Sequence, residues 1–259
     1  MKILFVGDIF GEAGKNCVLK KVPEYRSKFA IDFVIANGEN VYKGKGIKVR
    51  EAEELFAAGV DVITTGNHAF DQHETIDYYK KEPRILYPAN YNKQYGCKGY
   101  VVREVYSGIK VAVLNLAGRV HMEPANCPFE KVDEILQDIK GDADIIMVDM
   151  HAEATSEARA MGWYLNGKVS AVLGSHSHVQ TADEEILPEG TAFITDAGMT
   201  GPYYSIIGMK IEAPLRKFRT GIRTPYEAAT EGVRFCAVIV DVEESNGKAR
   251  SIQRIQERL

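Results

Sequence analysis

Residues 169–178, VSAVLGSHSH, decide how this chain folds: a short run rich in β-branched residues ends at a glycine, and two histidines one residue apart follow at once. The same pattern recurs earlier. ILFV at 3–6 leads to Gly7 and Asp8, and FVIA at 33–36 leads to Gly38, Glu39 and Asn40. VIT at 62–64 leads to Gly66, Asn67 and His68, and IIMV at 145–148 leads to His151. All five runs are apolar on both faces, as strands buried in the middle of a sheet are. The polar residues that follow them stand outside the carboxyl ends of the strands, where open α/β sheets bind their ligands.

Helical patterns fill the intervals. Val18, Val22, Tyr25 and Phe29 are spaced 4, 3 and 4, and Val132, Ile135, Leu136 and Ile139 form a second stripe. Pro23 inside the first pattern argues against an unbroken helix there. A third helix is expected over 48–58, stopped by Gly59. A fourth is expected after Asp71, capped by that side chain with Glu74 completing a capping box and with Ile76 and Tyr79 turned inward. Alternating strands and helices indicate an α/β layered fold. YVVREV (100–105), KVAVLNL (110–116), FITDAG (193–198), VRFCAVIVDV (233–242) and ARSIQRI (249–255) add strands with no helix between them, so part of the sheet system is antiparallel. The expected architecture is two packed mixed β-sheets flanked by helices. It is read as one domain over 1–259, with a loop-rich insertion around 197–231, where glycines and prolines concentrate.

Composition narrows the function classes. With 32 Lys plus Arg against 36 Asp plus Glu, the formal charge is -4, and no global basic field exists to hold an extended duplex. Cys17, Cys97, Cys127 and Cys236 are scattered without a C-x-x-C pair, and read as reduced thiols. The apolar start, MKILFV, is too short for a signal-peptide core, and no uncharged run approaches the roughly 20 residues of a membrane helix. A cytoplasmic protein is expected.

Asp8, Glu39, Asn40, Asn67, His151, His176 and His178 all fall at strand ends and all can bind a metal. Taken singly, Asp8 suits a turn or helix cap, Asn40 and Asn67 suit left-handed turns, and His151 suits a loop. Taken together, an accidental gathering of seven such residues is the weaker reading. In extended backbone His176 and His178 would point to one side and could serve neighbouring ions. Seven ligands exceed the four that one closed zinc site takes. They suit two ions about 3.5–4 Å apart sharing a carboxylate. Oxygen and imidazole donors without thiolate suit iron, manganese, zinc, cobalt or nickel, with ligand counts above four favouring iron or manganese. His73 and His121 lack strand-end placement and read as surface residues.

GNH at 66–68 and GSHSH at 174–178 resemble the calcineurin-like metallophosphoesterase superfamily. More closely, the chain is similar to the bacterial YmdB family through GDIFGEAG, NGEN, TGNHAFD, YPAN, HAEATSE, GWY, GSHSHVQTAD, LPEGTAFITDAGMTGP and IIGM, nearly its full length. The wider superfamily opens with D-x-H and supplies a bridging aspartate from a Gly-Asp motif. Here Ile9 and Phe10 follow Asp8, and Glu39-Asn40 stands where that aspartate would be, departures that match the YmdB-like pattern. The resemblance implies one metal on Asp8, Asn40 and His178, the other on Asn67, His151 and His176, Glu39 bridging, and His68 off the metals beside the substrate. It also implies hydrolysis of small phosphodiesters, including 2′,3′-cyclic nucleotides; RNA ends are a further candidate partner beside that resemblance.

The expected mechanism is in-line attack by a metal-bridging hydroxide, with His68 as general acid to the leaving alkoxide. Arg119 is a candidate phosphate contact, and Tyr203 and Tyr204 are candidates to stack a base. Two rivals stand beside this reading: a phosphomonoesterase or nucleotidase on the same metals, and a non-catalytic, metal-stabilised module that binds RNA or a protein. An intact His68 next to a full ligand set favours catalysis. Homo-oligomerisation is left open.

Overall fold

All five buried runs are strands in the computed structural model, which describes residues 1–91, 98–106 and 108–259. The chain runs through β1 (Lys2–Val6), β2 (Asp8–Ile9), α1 (Gly11–Phe29), β3 (Phe33–Asn37), α2 (Val49–Ala57), β4 (Val62–Thr64) and α3 (His73–Tyr78). It continues through β5 (Tyr100–Tyr106), β6 (Ile109–Ala117), α4 (Pro128–Asp138), β7 (Ile145–His151), α5 (Thr155–Tyr164) and β8 (Ala171–Ser175). Last come β9 (Glu185–Ile186), β10 (Ala192–Ile194), β11 (Met199–Pro202), α6 (Glu212–Thr220), β12 (Val233–Val242) and β13 (Ala249–Arg258).

Among the described residues these strands make two mixed sheets. One has seven strands in the order β2-β11-β12-β1-β3-β4, with β13 paired to β12; the other has six, β5-β6-β7-β8-β10-β9. Parallel pairing joins β1 to β3 to β4, and joins β6 to β7 to β8 to β10. β12 and β13 extend the first sheet antiparallel, and β5 and β9 close the second the same way.

Strand β1 demonstrates why the runs are continuously apolar. Ile3 and Phe5 enter the core between the sheets with Val113, Met147 and Leu173, whereas Leu4 and Val6 pack against Val18 and Val22 of α1 on the opposite face. A strand with period two that is covered on both sides must be apolar at every position. A third core joins β6, β7 and β8 to α4 and α5 through Leu114, Val148, Val132 and Met161. Helix, sheet, sheet and helix thus form four layers, as the alternating pattern implied.

Some local expectations are corrected. Helix α1 passes unbroken through Pro23, which sits on the exposed face of the helix. Helix α3 starts at His73 without a capping box: Asp71 accepts from His68 Nδ1 at 2.8 Å, and Glu74 accepts from the Val49 amide at 3.2 Å. FITDAG splits into β10 and a turn, and the 197–231 stretch holds β11 and α6. Cys17 and Cys236 are buried free thiols, Cys127 is half-buried, and Cys97 lies outside the described residues. No helix among the described residues is long and apolar enough to cross a membrane.

Candidate active site

The carboxyl ends of β1, β3 and β4 in one sheet meet those of β7 and β8 in the other, and all seven strand-end residues converge there. His151 Nε2 lies 3.1 Å from Glu39 Oε1, 3.0 Å from Asn67 Oδ1 and 3.1 Å from His176 Nδ1. His178 Nε2 lies 3.2 Å from Asn40 Oδ1. Asp8 accepts the His176 amide on Oδ2 at 3.1 Å, while its buried Oδ1 has no hydrogen-bond partner. Glu39, His151 and His176 offer ligand atoms within 4.8 Å of one another.

The glycines before these residues serve close approach. A Cβ on Gly66 would sit 2.2 Å from the His151 ring and 2.5 Å from Glu39 Oε2, and one on Gly174 would sit 1.7 Å from the Thr195 carbonyl oxygen. Positive φ falls instead on the histidines themselves, 108° at His176 and 64° at His178. They lie in a bend, and the extended backbone expected of them is not formed. Such conformations cost on the order of 1–3 kcal/mol each and collect at functional sites. Asp196 holds the bend by accepting from the Ser177 amide and hydroxyl, both at 2.8 Å, and from the Gly198 amide at 2.7 Å.

Hydrogen-bond inventory fixes where the imidazole lone pairs point. His178 donates Nδ1–H to the Ile207 carbonyl at 2.9 Å, which leaves Nε2 as an acceptor. His176 Nε2 contacts Glu153 Oε2 at 3.0 Å, so its Nδ1 faces the cluster. Ser175 has one hydroxyl hydrogen and gives it to Asp149 Oδ1 at 2.6 Å. It therefore accepts from His151 Nδ1 at 2.9 Å, turning His151 Nε2 inward. Asp149 is wholly buried and is satisfied by Ser175, Thr64 and Asn37, and Asn37 in turn accepts the Glu39 amide at 3.1 Å.

Burial opposes every charge here, yet partners override it in places. Glu39 feels burial first, but the His151 charge and hydrogen bond bring its carboxyl down to about 2. His151, equally buried, is carried by Glu39 up to about 9. Burial and then the His151 charge bring His176 down to about 3, and burial lowers His178 as well. Burial raises Asp196 to about 6, and burial together with the Asp196 charge raises Asp8. The donor set fits a cation: neutral imidazole nitrogens, amide oxygens and buried carboxylates aimed at one another.

His68 stands beside this cluster, one residue past Asn67. Its amide donates to Glu39 Oε2 at 3.0 Å and its ring to Asp71, and its side chain is 27% exposed, enough to meet a substrate. It lines a cleft of about 550 Å³ with Glu39, Asn40, His176 and His178 on the floor and Lys45, Met209, Lys217, Phe218 and Tyr226 on the walls. The sequence-derived contacts outside the cluster fare less well. Arg119 is exposed and does not line the cleft. Tyr203 bonds Cys236 Sγ at 3.0 Å beneath Arg234, and Tyr204 opens onto a different recess. His73 and His121 are exposed as expected, though His121 borders a small recess at Asn67 and His176.

Ser175, Asp149, Glu153 and Asp196 escaped the sequence reading, and Asp71 was read only as a helix cap. Ser175 and Asp149 did carry a signal, being hydrogen-bonding residues inside strands that otherwise read as apolar, Asp149 two residues before His151.

The chain and its fold have close counterparts. A curated protein of Bacillus subtilis (strain 168) named 2′,3′-cyclic-nucleotide 2′-phosphodiesterase is 41% identical over 255 residues, covering 98% of this chain and 96% of its own. A crystal structure of a hypothetical protein from Thermus thermophilus superposes with a TM-score of 0.93 at 40% identity, covering 100% of this chain and 99% of that one. A crystal structure described as a novel phosphatase from Mycoplasma pneumoniae superposes with a TM-score of 0.94 at 33% identity, covering 100% and 93%. A family model described as YmdB-like protein matches residues 4–255. With the family model and the full-length relatives in agreement, this chain belongs to the YmdB-like protein family.

Proposed function

We propose that this chain is a metal-dependent phosphodiesterase of two-ion type acting on small phosphodiesters, 2′,3′-cyclic nucleotides first among them. One ion would be held by Asp8, Asn40 and His178 and the other by Asn67, His151 and His176, with Glu39 between them. The reading rests on one observation above others: with its hydrogen on Nδ1, a neutral His178 turns the Nε2 lone pair toward Asn40 Oδ1 at 3.2 Å, a pair of acceptors that a cation between them would satisfy. Iron or manganese suits this oxygen and nitrogen set first, then zinc, cobalt or nickel. The substrate class rests on the activity named for the Bacillus subtilis relative.

When bound, such ions supply Lewis-acid stabilisation of phosphoryl oxygens and lower the pKa of water. The chain's own groups do the rest. Asn40, Asn67 and Glu39 present fixed oxygens, and Ser175 and Ile207 orient the imidazoles that accompany them. His68 donates Nδ1–H to Asp71, so a second proton on Nε2 makes the ring an acid facing the cleft. Once that proton passes to the departing alkoxide, the ring is neutral with its remaining hydrogen still on Asp71.

Elemental analysis of protein purified without chelator tests the reading, followed by rates on 2′,3′-cyclic AMP, bis-p-nitrophenyl phosphate and p-nitrophenyl phosphate. About two ions per chain and a preference for diesters are expected. Preference for the monoester would favour a phosphatase, the activity named for the Mycoplasma pneumoniae structure.

A further inference from the structure

We propose that Phe218 and Tyr226 form a wall that binds the nucleobase of the substrate by its face, with Lys217 and Lys45 as cations for its phosphate side. The inference rests on the phosphodiesterase reading and extends it to substrate selection. Phe218 is 77% exposed and Tyr226 39% exposed, and both line the cleft that holds His68, His176 and His178. Neither ring fills the core. Pro214 is the buried residue of α6, so Phe218 projects from a helix whose remaining side chains reach solvent. A large aromatic left in water at the rim of a polar site is poised to be covered by a ligand.

The surroundings specify what covers it. Met209, Ile206 and Ile207 continue the apolar wall, so a ligand that reaches it brings a flat or apolar group. Lys217 precedes Phe218 on α6, Lys45 comes from the loop before α2, and among the described residues neither ammonium is in an ion pair. The carboxylates in the cleft are already engaged, Glu39 by His151 and His68, and Glu153 by His176. The free charge in the cleft is therefore positive beside an apolar surface, complementary to a planar base joined to a phosphate. Phe218 offers no polar atom to a base edge, so recognition by its ring is by stacking and tolerates any base, with the larger purines held more tightly.

The test compares metal-loaded wild type and Phe218→Ala on 2′,3′-cyclic AMP and on ethylene cyclic phosphate, which keeps the five-membered cyclic diester but lacks sugar and base. Calorimetric binding of 3′-AMP is measured alongside, because it does not depend on turnover. On 2′,3′-cyclic AMP the variant should lose roughly 5–150-fold in kcat/KM, mainly through KM. The loss on ethylene cyclic phosphate should be at least fivefold smaller, and Phe218→Trp should restore the base-bearing substrate. Equal losses on both substrates, or none on either, would overturn the proposal. So would a change of oligomeric state in Phe218→Ala with equal losses, which would make this face a contact between copies. If wild type hydrolyses neither compound yet binds 3′-AMP in a Phe218-dependent way, the base site stands and the hydrolytic reading falls. If 3′-AMP binding ignores the substitution, the base site falls.

Discussion

His178 Nε2 lies 3.2 Å from Asn40 Oδ1, and in the neutral ring no hydrogen stands between them. The ring hydrogen is on Nδ1, held by the Ile207 carbonyl, and Asn40 Nδ2 donates to the Gly44 carbonyl at 3.1 Å. Turning the amide over would set its oxygen against that carbonyl. Two acceptors this close, in a site that also holds the buried, unpartnered Asp8 Oδ1, are an arrangement that a cation relieves.

Metal content should therefore respond to the charge of each ligand. Glu39→Gln is expected to lose more metal than Asn40→Ala, because a carboxylate between two cations offsets their repulsion whereas Asn40 gives a neutral oxygen to one. Inductively coupled plasma analysis of both variants, purified identically, decides it. Equal metal content in the two would remove Glu39 from the bridging position.

Ser175→Ala leaves every ligand in place and removes the acceptor for His151 Nδ1–H. The ring is then free to change tautomer or rotate, and loss of such an orienting partner typically weakens metal affinity by about 10–100-fold. Competition against a chelating dye reads this directly. An unchanged affinity would mean that packing alone orients the ring.

His68→Ala should keep its metals and lose roughly 10²–10⁴-fold in rate on a cyclic nucleotide, whose alkoxide leaving group needs a proton. On a p-nitrophenyl ester, whose leaving group needs none, the loss should be small. Asp71→Asn should give a milder version of the same split, because it weakens the hold on His68 Nδ1 without removing the ring. Failure of His68→Ala on both substrates together with loss of metal would make His68 a ligand.

Lys15, with 2% of its side chain exposed, joins α1 to α2 by reaching Glu54 Oε2 at 2.5 Å and Glu12 at 3.1 Å. Hydrogen bonds from Lys15 and Arg50 lower the Glu54 pKa, so its contribution is present above the ordinary glutamate value and is lost as pH falls through the lowered one. Glu54→Gln should cost about 1–2 kcal/mol at pH 7 by leaving a buried ammonium with a weaker acceptor. Urea unfolding from pH 7 down to pH 3 should find the gap between the proteins narrowing with acid. A gap that does not change with pH would assign the loss to packing.

Chain-local information carried most of the proposed ligand set. Each strand end is a short segment whose apolar run and polar successor are close in sequence, with a glycine between them at all but the His151 end, so Asp8, Glu39, Asn40, Asn67, His151, His176 and His178 could be read without knowing what faces them. The two mixed sheets were legible for the same reason, because strands covered on both faces have a composition that needs no partner to recognise. Tertiary structure alone decided the rest. Whether Asp71 caps a helix or holds His68 depends on a turn between them, and the Ser175–Asp149 support under His151 depends on β7 and β8 lying in register. The His176–His178 bend depends on Asp196 arriving from after β10. The cleft wall went to Phe218 and Tyr226 and away from Tyr203 and Tyr204, because Tyr203 is drawn under Arg234 against β12 while α6 is left facing solvent. Periodicity and residue type report what a segment buries, but only the packed chain determines which side chains at distant positions share one cavity.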